Sequence, residues 1–132
     1  MSRLIRSLLL CVATTLALGC TTKPVQNIDQ SLPADSNRTS VQVQAAIRDA
    51  LDEQKWTVQQ DAGNVIYAQI TVRERHHAEI SIPYSSQQYS IKLRSSSGLD
   101  EKDGQIHRNY NKWVTLLNNR ILQNLHLAPP SP

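Results

Sequence analysis

The residues that could carry covalent or acid–base chemistry in this chain are two cysteines, four histidines, a serine run and a cluster of carboxylates. Their spacing restricts each of them. His76 and His77 are adjacent, and neighbours on a strand point to opposite faces, so the pair cannot converge on one ion. A zinc site wants three or four convergent ligands. His107 and His126 would stand about 28 Å apart on one helix at about 1.5 Å per residue, so they cannot share a metal either. Ser95-Ser96-Ser97-Gly98 lacks the glycine that precedes a nucleophilic serine on a strained elbow, and reads as a flexible turn. Asp100, Glu101 and Asp103 flank Lys102 in a polar stretch, with no apolar pocket to raise a carboxyl pKa. Acidic residues there instead suit the start of a following helix. With no glycine-rich phosphate loop, the sequence calls for no catalytic residue, no metal and no cofactor.

Cys20 stands apart because of what precedes it. Arg3 and Arg6 make a positive start, Leu8 to Leu18 form an apolar run broken only by Thr14 and Thr15, and Gly19 is the small residue a signal peptidase needs before its cut. The run is too short to span a bilayer, which takes about 20 apolar residues. Leu16-Ala17-Leu18-Gly19-Cys20 resembles the lipobox of bacterial membrane lipoproteins. The resemblance implies cleavage after Gly19 and acylation of Cys20 as the new first residue. It also implies sorting to the outer membrane, facing the periplasm, because Thr21 is not the aspartate associated with inner-membrane retention. One acyl chain holds a protein only reversibly and two or more hold it stably. A second phrase, Ile106-His107 followed by Tyr110-Asn111 and Trp113-Val114, resembles a family of small bacterial lipoproteins and brings no activity with it.

Loss of the leader changes the composition. Arg3 and Arg6 leave the total of 14 Lys and Arg, while all 11 Asp and Glu remain. The basic balance of the full chain therefore belongs largely to the leader. Nucleic-acid binding needs a clustered basic footprint, and the remaining cations are scattered. Beyond Cys20 there is no cysteine, so no disulfide can staple the domain. It must fold by apolar burial alone, which is demanding at this size.

Residues 1–19 are expected to be the leader, 20–38 the acylated cysteine and a flexible tether, 39–127 one α+β domain, and 128–132 a disordered tail. The tether reading rests on two prolines, small polar residues and the lack of periodicity, and gives a reach of roughly 20–25 Å. Thr39 and Gln42 have the spacing of a capping box, and Val43, Ala46, Ile47, Ala50 and Leu51 follow at helical steps, predicting a helix over 40–54. Period-two segments come next. Trp56 and Val58 share a face of a short strand, Ile66 to Val72 line a second, Ala78 to Tyr84 a third, and Tyr89, Ile91 and Leu93 a fourth. Turn chemistry falls at Asp61-Ala62-Gly63-Asn64, Glu74-Arg75-His76 and Ser85-Ser86-Gln87. Ser95 to Gly104 reads as a polar loop. Ile106, Tyr110, Trp113, Val114, Leu117, Ile121 and Leu125 then predict an amphipathic helix over about 106–126. The resulting expectation is a four-stranded antiparallel meander with an N-terminal and a C-terminal helix packed on one face, in the order α-β-β-β-β-α.

The exposed sheet face is the candidate partner surface. Tyr67, Arg73, His77 and Arg94 would cluster there, and His107 and Asn111 would share a stripe beside the core-facing side of the last helix. The expected function is a non-enzymatic, periplasm-facing lipoprotein, bound to the lipid bilayer through acylated Cys20 and serving as a binding or envelope-assembly module for another envelope protein. Alternatives are an envelope hydrolase using His77 or His107 as base, and a carrier for lipid or a small metabolite held between helices and sheet.

Overall fold

The computed structural model describes residues 21–35 and 37–130. Gly19 and Cys20 lie outside the described residues. The elements run β1 (Thr22–Pro24), β2 (Ile28–Ser31), α1 (Ser40–Glu53), β3 (Thr57–Asp61), β4 (Val65–Val72), β5 (His76–Pro83), β6 (Gln88–Ser97), β7 (Gln105–His107) and α2 (Arg108–Asn124). All pairing is antiparallel, in a five-stranded sheet of order β2-β6-β5-β4-β3 and a two-stranded ribbon of β1 with β7. The fold is thus α+β with an N-terminal and a C-terminal helix.

The meander comprises the four strands expected, β3 to β6, and a fifth strand joins its β6 edge. That strand comes from the stretch read as a tether. β2 pairs Ile28 with Ile91 and Gln30 with Tyr89. Val25 and Ile28 pack against the core and Leu32 is buried. A short strand of mixed polarity shows no usable alternation; only the unpaired edge of β6 gives its backbone donors and acceptors a partner.

The capping box of α1 is present. Thr39 accepts from the Gln42 amide at 3.1 Å, and the Gln42 side chain accepts from the Thr39 amide at 2.9 Å. Val43, Ala46, Ile47, Ala50 and Leu51 are its buried face. Lys55 takes a left-handed φ of 69°, and the Trp56 amide returns to the Leu51 carbonyl at 2.8 Å, closing the last turn. The β4–β5 turn is built on Arg73 and Glu74, with φ of 55° and 61°. Such left-handed pairs match the twist of a hairpin. Arg73, expected on the exposed face of β4, is therefore in the turn, and His76 begins β5.

A bulge in β6 explains a second departure. Glu79 pairs with Ser95 and Ile80 with Leu93, which leaves Arg94 as the extra residue. The strand continues to Ser97, so the first three residues of the expected polar loop are sheet. Leu99 is buried. At Gly98, φ is +69° and an added Cβ would fall 1.9 Å from the Arg75 carbonyl oxygen, so only glycine fits this crossing. Ile106 and His107, expected to open the last helix, are in β7, and α2 starts at Arg108. Ile106 is buried all the same, because the strand turns it onto the core that the helical spacing had suggested. Pro83 falls between the last β5–β6 ladder pair, Ser81 with Lys92, and the isolated Tyr84–Tyr89 bridge, where its missing N–H interrupts no ladder bond.

One core cluster joins α1, α2 and the inner face of β4, β5 and β6, with Ile47, Leu51, Ile66, Ile80, Ile82, Ile91, Leu117 and Ile121 fully buried. Asn118 is the buried polar residue in it. Its side chain accepts from the Tyr89 hydroxyl and donates to Gln30 at 3.4 Å, so α2, β6 and β2 meet on one amide. Burial raises the Tyr89 phenol well above its usual pKa, and at neutral pH it acts only as a hydrogen-bonding hydroxyl. If residues 22–32 belong to the domain, Leu32→Ala lowers unfolding free energy by about 2–3 kcal/mol in urea titration. A loose tether would lose nothing.

Candidate functional site

The outer face of the five-stranded sheet carries three of the expected residues together. Tyr67 on β4 is half-buried, and the Arg94 guanidinium lies over its ring, 4.4 Å from the centroid. The bulge is what aims Arg94 there. A cation over an aromatic face at an exposed site is worth about 0.5–1 kcal/mol. Beside this pair runs a polar network. Glu79 accepts from Ser95 Oγ at 2.5 Å and from Gln59 Nε2 at 2.6 Å, and its carboxylate stands 3.8 Å from His77 Nε2. These hydrogen bonds, Ser95 first and Gln59 next, hold the Glu79 carboxyl below its usual pKa. His77 Nδ1 is 2.8 Å from the Thr71 hydroxyl.

Hydroxyl, imidazole and carboxylate thus lie in a row across β4 and β5, which resembles the parts of a nucleophilic triad. Thr71 is exposed on a regular strand. Glu79 already accepts two hydrogen bonds, and at 3.8 Å from His77 Nε2 it stands beyond hydrogen-bond distance of the imidazole that a triad carboxylate would orient. What the face offers is a set of donors and acceptors around one stacked aromatic.

Arg73, His107 and Asn111 do not join it. They gather at the end of the molecule where β1, the β4–β5 turn and the start of α2 meet. Arg73 lines a groove of about 340 Å³ with Val72, His76, Asn109, Lys112, Trp113 and Leu116. His107 is the N-cap of α2, its Nδ1 accepting from the Asn109 amide at 3.1 Å. It is therefore not on the stripe with Asn111 that a continuous helix would have given. Asn111 donates to the Pro24 carbonyl at 2.9 Å and accepts from the Gln26 amide at 3.0 Å. The His107 side chain is thus occupied in capping α2, and that of Asn111 in fastening Pro24 and Gln26 to it. His76 Nδ1 lies 2.8 Å from the Gly98 carbonyl, and its ring centroid is 6.3 Å from that of His107. Among the described residues no three His, Cys, Asp or Glu side chains gather in a way that could hold a metal ion.

Sequence reasoning missed Asp61. Its carboxylate accepts from Gln44 and Arg48 of α1, each at 2.7 Å, and from the Gly63 amide at 3.2 Å. Burial pushes its pKa up, but the hydrogen bonds from Arg48, Gly63 and Gln44 and the Arg48 charge outweigh this and leave it below 3.8. The same carboxylate faces Tyr84, whose phenol is raised by burial and by that charge. A carboxylate directly before a turn, with Gln44 and Arg48 one helical turn apart, was the available signal, but nothing local brings α1 over the β3–β4 hairpin. Another groove, of about 620 Å³, lies between the β1–β2 segment and α2 and is lined by Gln26, Ile28, Gln30, Thr115, Asn118 and Pro130 among others, a mixture of polar and apolar groups.

Two outcomes separate these roles. His107→Ala, which removes a cap, costs about 1 kcal/mol in thermal or urea unfolding, whereas His77→Ala on the open face changes stability by less than about 0.5 kcal/mol. For Asp61, a pKa depressed by folding gives stabilisation that is present above pH 3.8 and lost as pH falls through the lower folded value. Arg48 is 48% exposed, so solvent screening keeps the effect small. Asp61→Asn is expected to be less stable by no more than about 1 kcal/mol at pH 7, and the difference from the native chain should shrink as pH falls below 3.8 in unfolding curves.

In comparisons with known proteins, neither the protein-family models nor the curated proteins match this chain.

Proposed function

We propose that the chain is a lipoprotein of the bacterial envelope, acylated at Cys20 after cleavage behind Gly19, held at the outer membrane facing the periplasm, and acting as a non-enzymatic binding or assembly module. The observation that carries this reading is the join between the lipobox and the fold. Thr21, directly after Cys20 in the sequence, already accepts from the Arg108 amide, and β1 follows it. Among the described residues the core runs from Leu32 to Leu125, all of which cleavage behind Gly19 would keep. No helix among the described residues is long and apolar enough to cross a membrane, so membrane attachment by this route depends on the acyl chains. The stacked Tyr67–Arg94 pair and the Glu79 network suit a protein partner, with affinity from contact area and hydrogen bonding rather than from turnover.

Cys20→Ala is the direct test. The native protein is expected in the membrane fraction with an intact mass that starts at Cys20 and includes three acyl chains. The variant is expected to leave the membrane fraction and to take up no labelled palmitate. A native product that starts elsewhere, or that carries an unmodified thiol, refutes the reading.

A further inference from the structure

We propose that the end of the molecule around Arg73, Arg108, Lys112, Trp113 and Leu116 rests on anionic phospholipid headgroups, so that the domain is seated on the bilayer and not suspended above it. The proposal rests on the acylation of Cys20 and adds an orientation to it.

Chain length supplies the first reason. The Thr21 carbonyl accepts from the Arg108 amide at 2.8 Å, and the next residue is already in β1, paired with His107. One peptide step of about 3.8 Å separates Cys20 from Thr21. The acylated sulfur is thus held within about 10 Å of the first turn of α2, where an 18-residue coil would have allowed about twice that or more. Whatever surrounds the start of α2 must therefore meet the membrane surface.

Charge and polarity at that end supply the second. The groove there places the Arg73 and Lys112 side chains beside Trp113, Val72 and Leu116. Trp113 is partly buried, and Leu116, 44% exposed, is one of two large hydrophobic residues exposed among the described residues. Arg75 and Arg108 are exposed on either side of it in the chain. Four cations stand here against three nearby carboxylates: Glu74 in the β4–β5 turn, Asp100 after β6, and Glu101, whose charge acts on Tyr110 in the first turn of α2. The remaining acid of the β6–β7 loop, Asp103, lies further along. Glu101 accepts from Ser96, and the Asp103-Gly104 turn sits beside Val25, where the Gly104 carbonyl meets the Val25 amide at 2.9 Å. The far end of α2 has no such excess, since Arg120 is paired with Glu53. An indole with a polar edge, an exposed leucine and flanking Lys and Arg are the side chains that settle at a membrane–water boundary. Cations act on an anionic leaflet only within about a Debye length, some 8–10 Å, and the short link to Cys20 keeps them inside it. Because the acyl chains already hold the protein at the surface, weak contacts are enough to fix its orientation.

The test uses the mature acylated protein reconstituted into phosphatidylethanolamine–phosphatidylglycerol vesicles, with some phosphatidylcholine brominated on its acyl chains near the headgroup. Trp56 is 4% exposed inside the core and is the internal reference. The expected result is that bromolipid quenches part of the tryptophan emission and that Trp113→Phe abolishes this quenching. Arg73→Glu with Lys112→Glu is expected to cut it at least about twofold while the protein still floats with the vesicles. High salt should do the same to the native protein, without relying on any variant to fold. Flotation with no quenching beyond that of Trp113→Phe, or quenching unaffected by salt and by replacing phosphatidylglycerol with phosphatidylcholine, overturns the seating and leaves the anchor standing. A native protein that does not float overturns the anchor and the seating together.

Discussion

With no cysteine among the described residues to staple it, this domain depends on covering one apolar sheet face with two amphipathic helices. Ile66, Ala68, Ile80, Ile82 and Ile91 present that face, and α1 and α2 cover it with Val43, Ile47, Leu51, Val114, Leu117 and Ile121. Each fully buried aliphatic side chain contributes about 1.5–3 kcal/mol against the entropy of ordering the chain. The surface hydrogen bonds and ion pairs are worth less apiece. They decide where things sit: Asp61 fixes α1 over the β3–β4 hairpin, and Asn118 fixes α2 against β6 and β2.

The same constraint separates the two faces of the sheet. The inner face is committed to the core, so contacts with anything else fall to the outer face, the outward sides of the helices and the ends of the molecule. On the outer face the β6 bulge matters most. One extra residue turns Arg94 over Tyr67 and brings Ser95 to Glu79. At the chain entry, Asn111 and the Arg108 amide bind the segment that follows Cys20. Here structure and attachment are coupled, because the contacts that complete the fold also leave the proposed anchor with no slack.

Period-two and helical spacing made β3 to β6, α1 and most of α2 legible, since their apolar residues recur on one face and the capping box at Thr39 is a local motif. Tyr67, His77 and Arg94 were placed on one face for the same reason. Arg73 was misplaced because the alternation of β4 does not reveal where a hairpin turns, and two non-glycine residues accept left-handed φ there. His107 was read into the helix because Ile106 and Tyr110 keep helical spacing across a strand–helix junction. β1 and β2 were taken for a tether because a short polar edge strand has no pattern of its own.

By itself the sequence determined the apolar faces, the absence of any thiol beyond Cys20, and the leader-like run that ends there. Each of these is a property of residue type and near-neighbour spacing. The tertiary structure alone decided that residues 22–24 pair with β7 and residues 28–31 join the sheet, that Arg94 leaves the ladder to cover Tyr67, and that Asp61, Asn118 and Asn111 become the joints between distant elements. Those outcomes depend on backbone groups and polar side chains finding partners 13 to 88 positions away, and such partners exist only after the apolar faces have closed on one another.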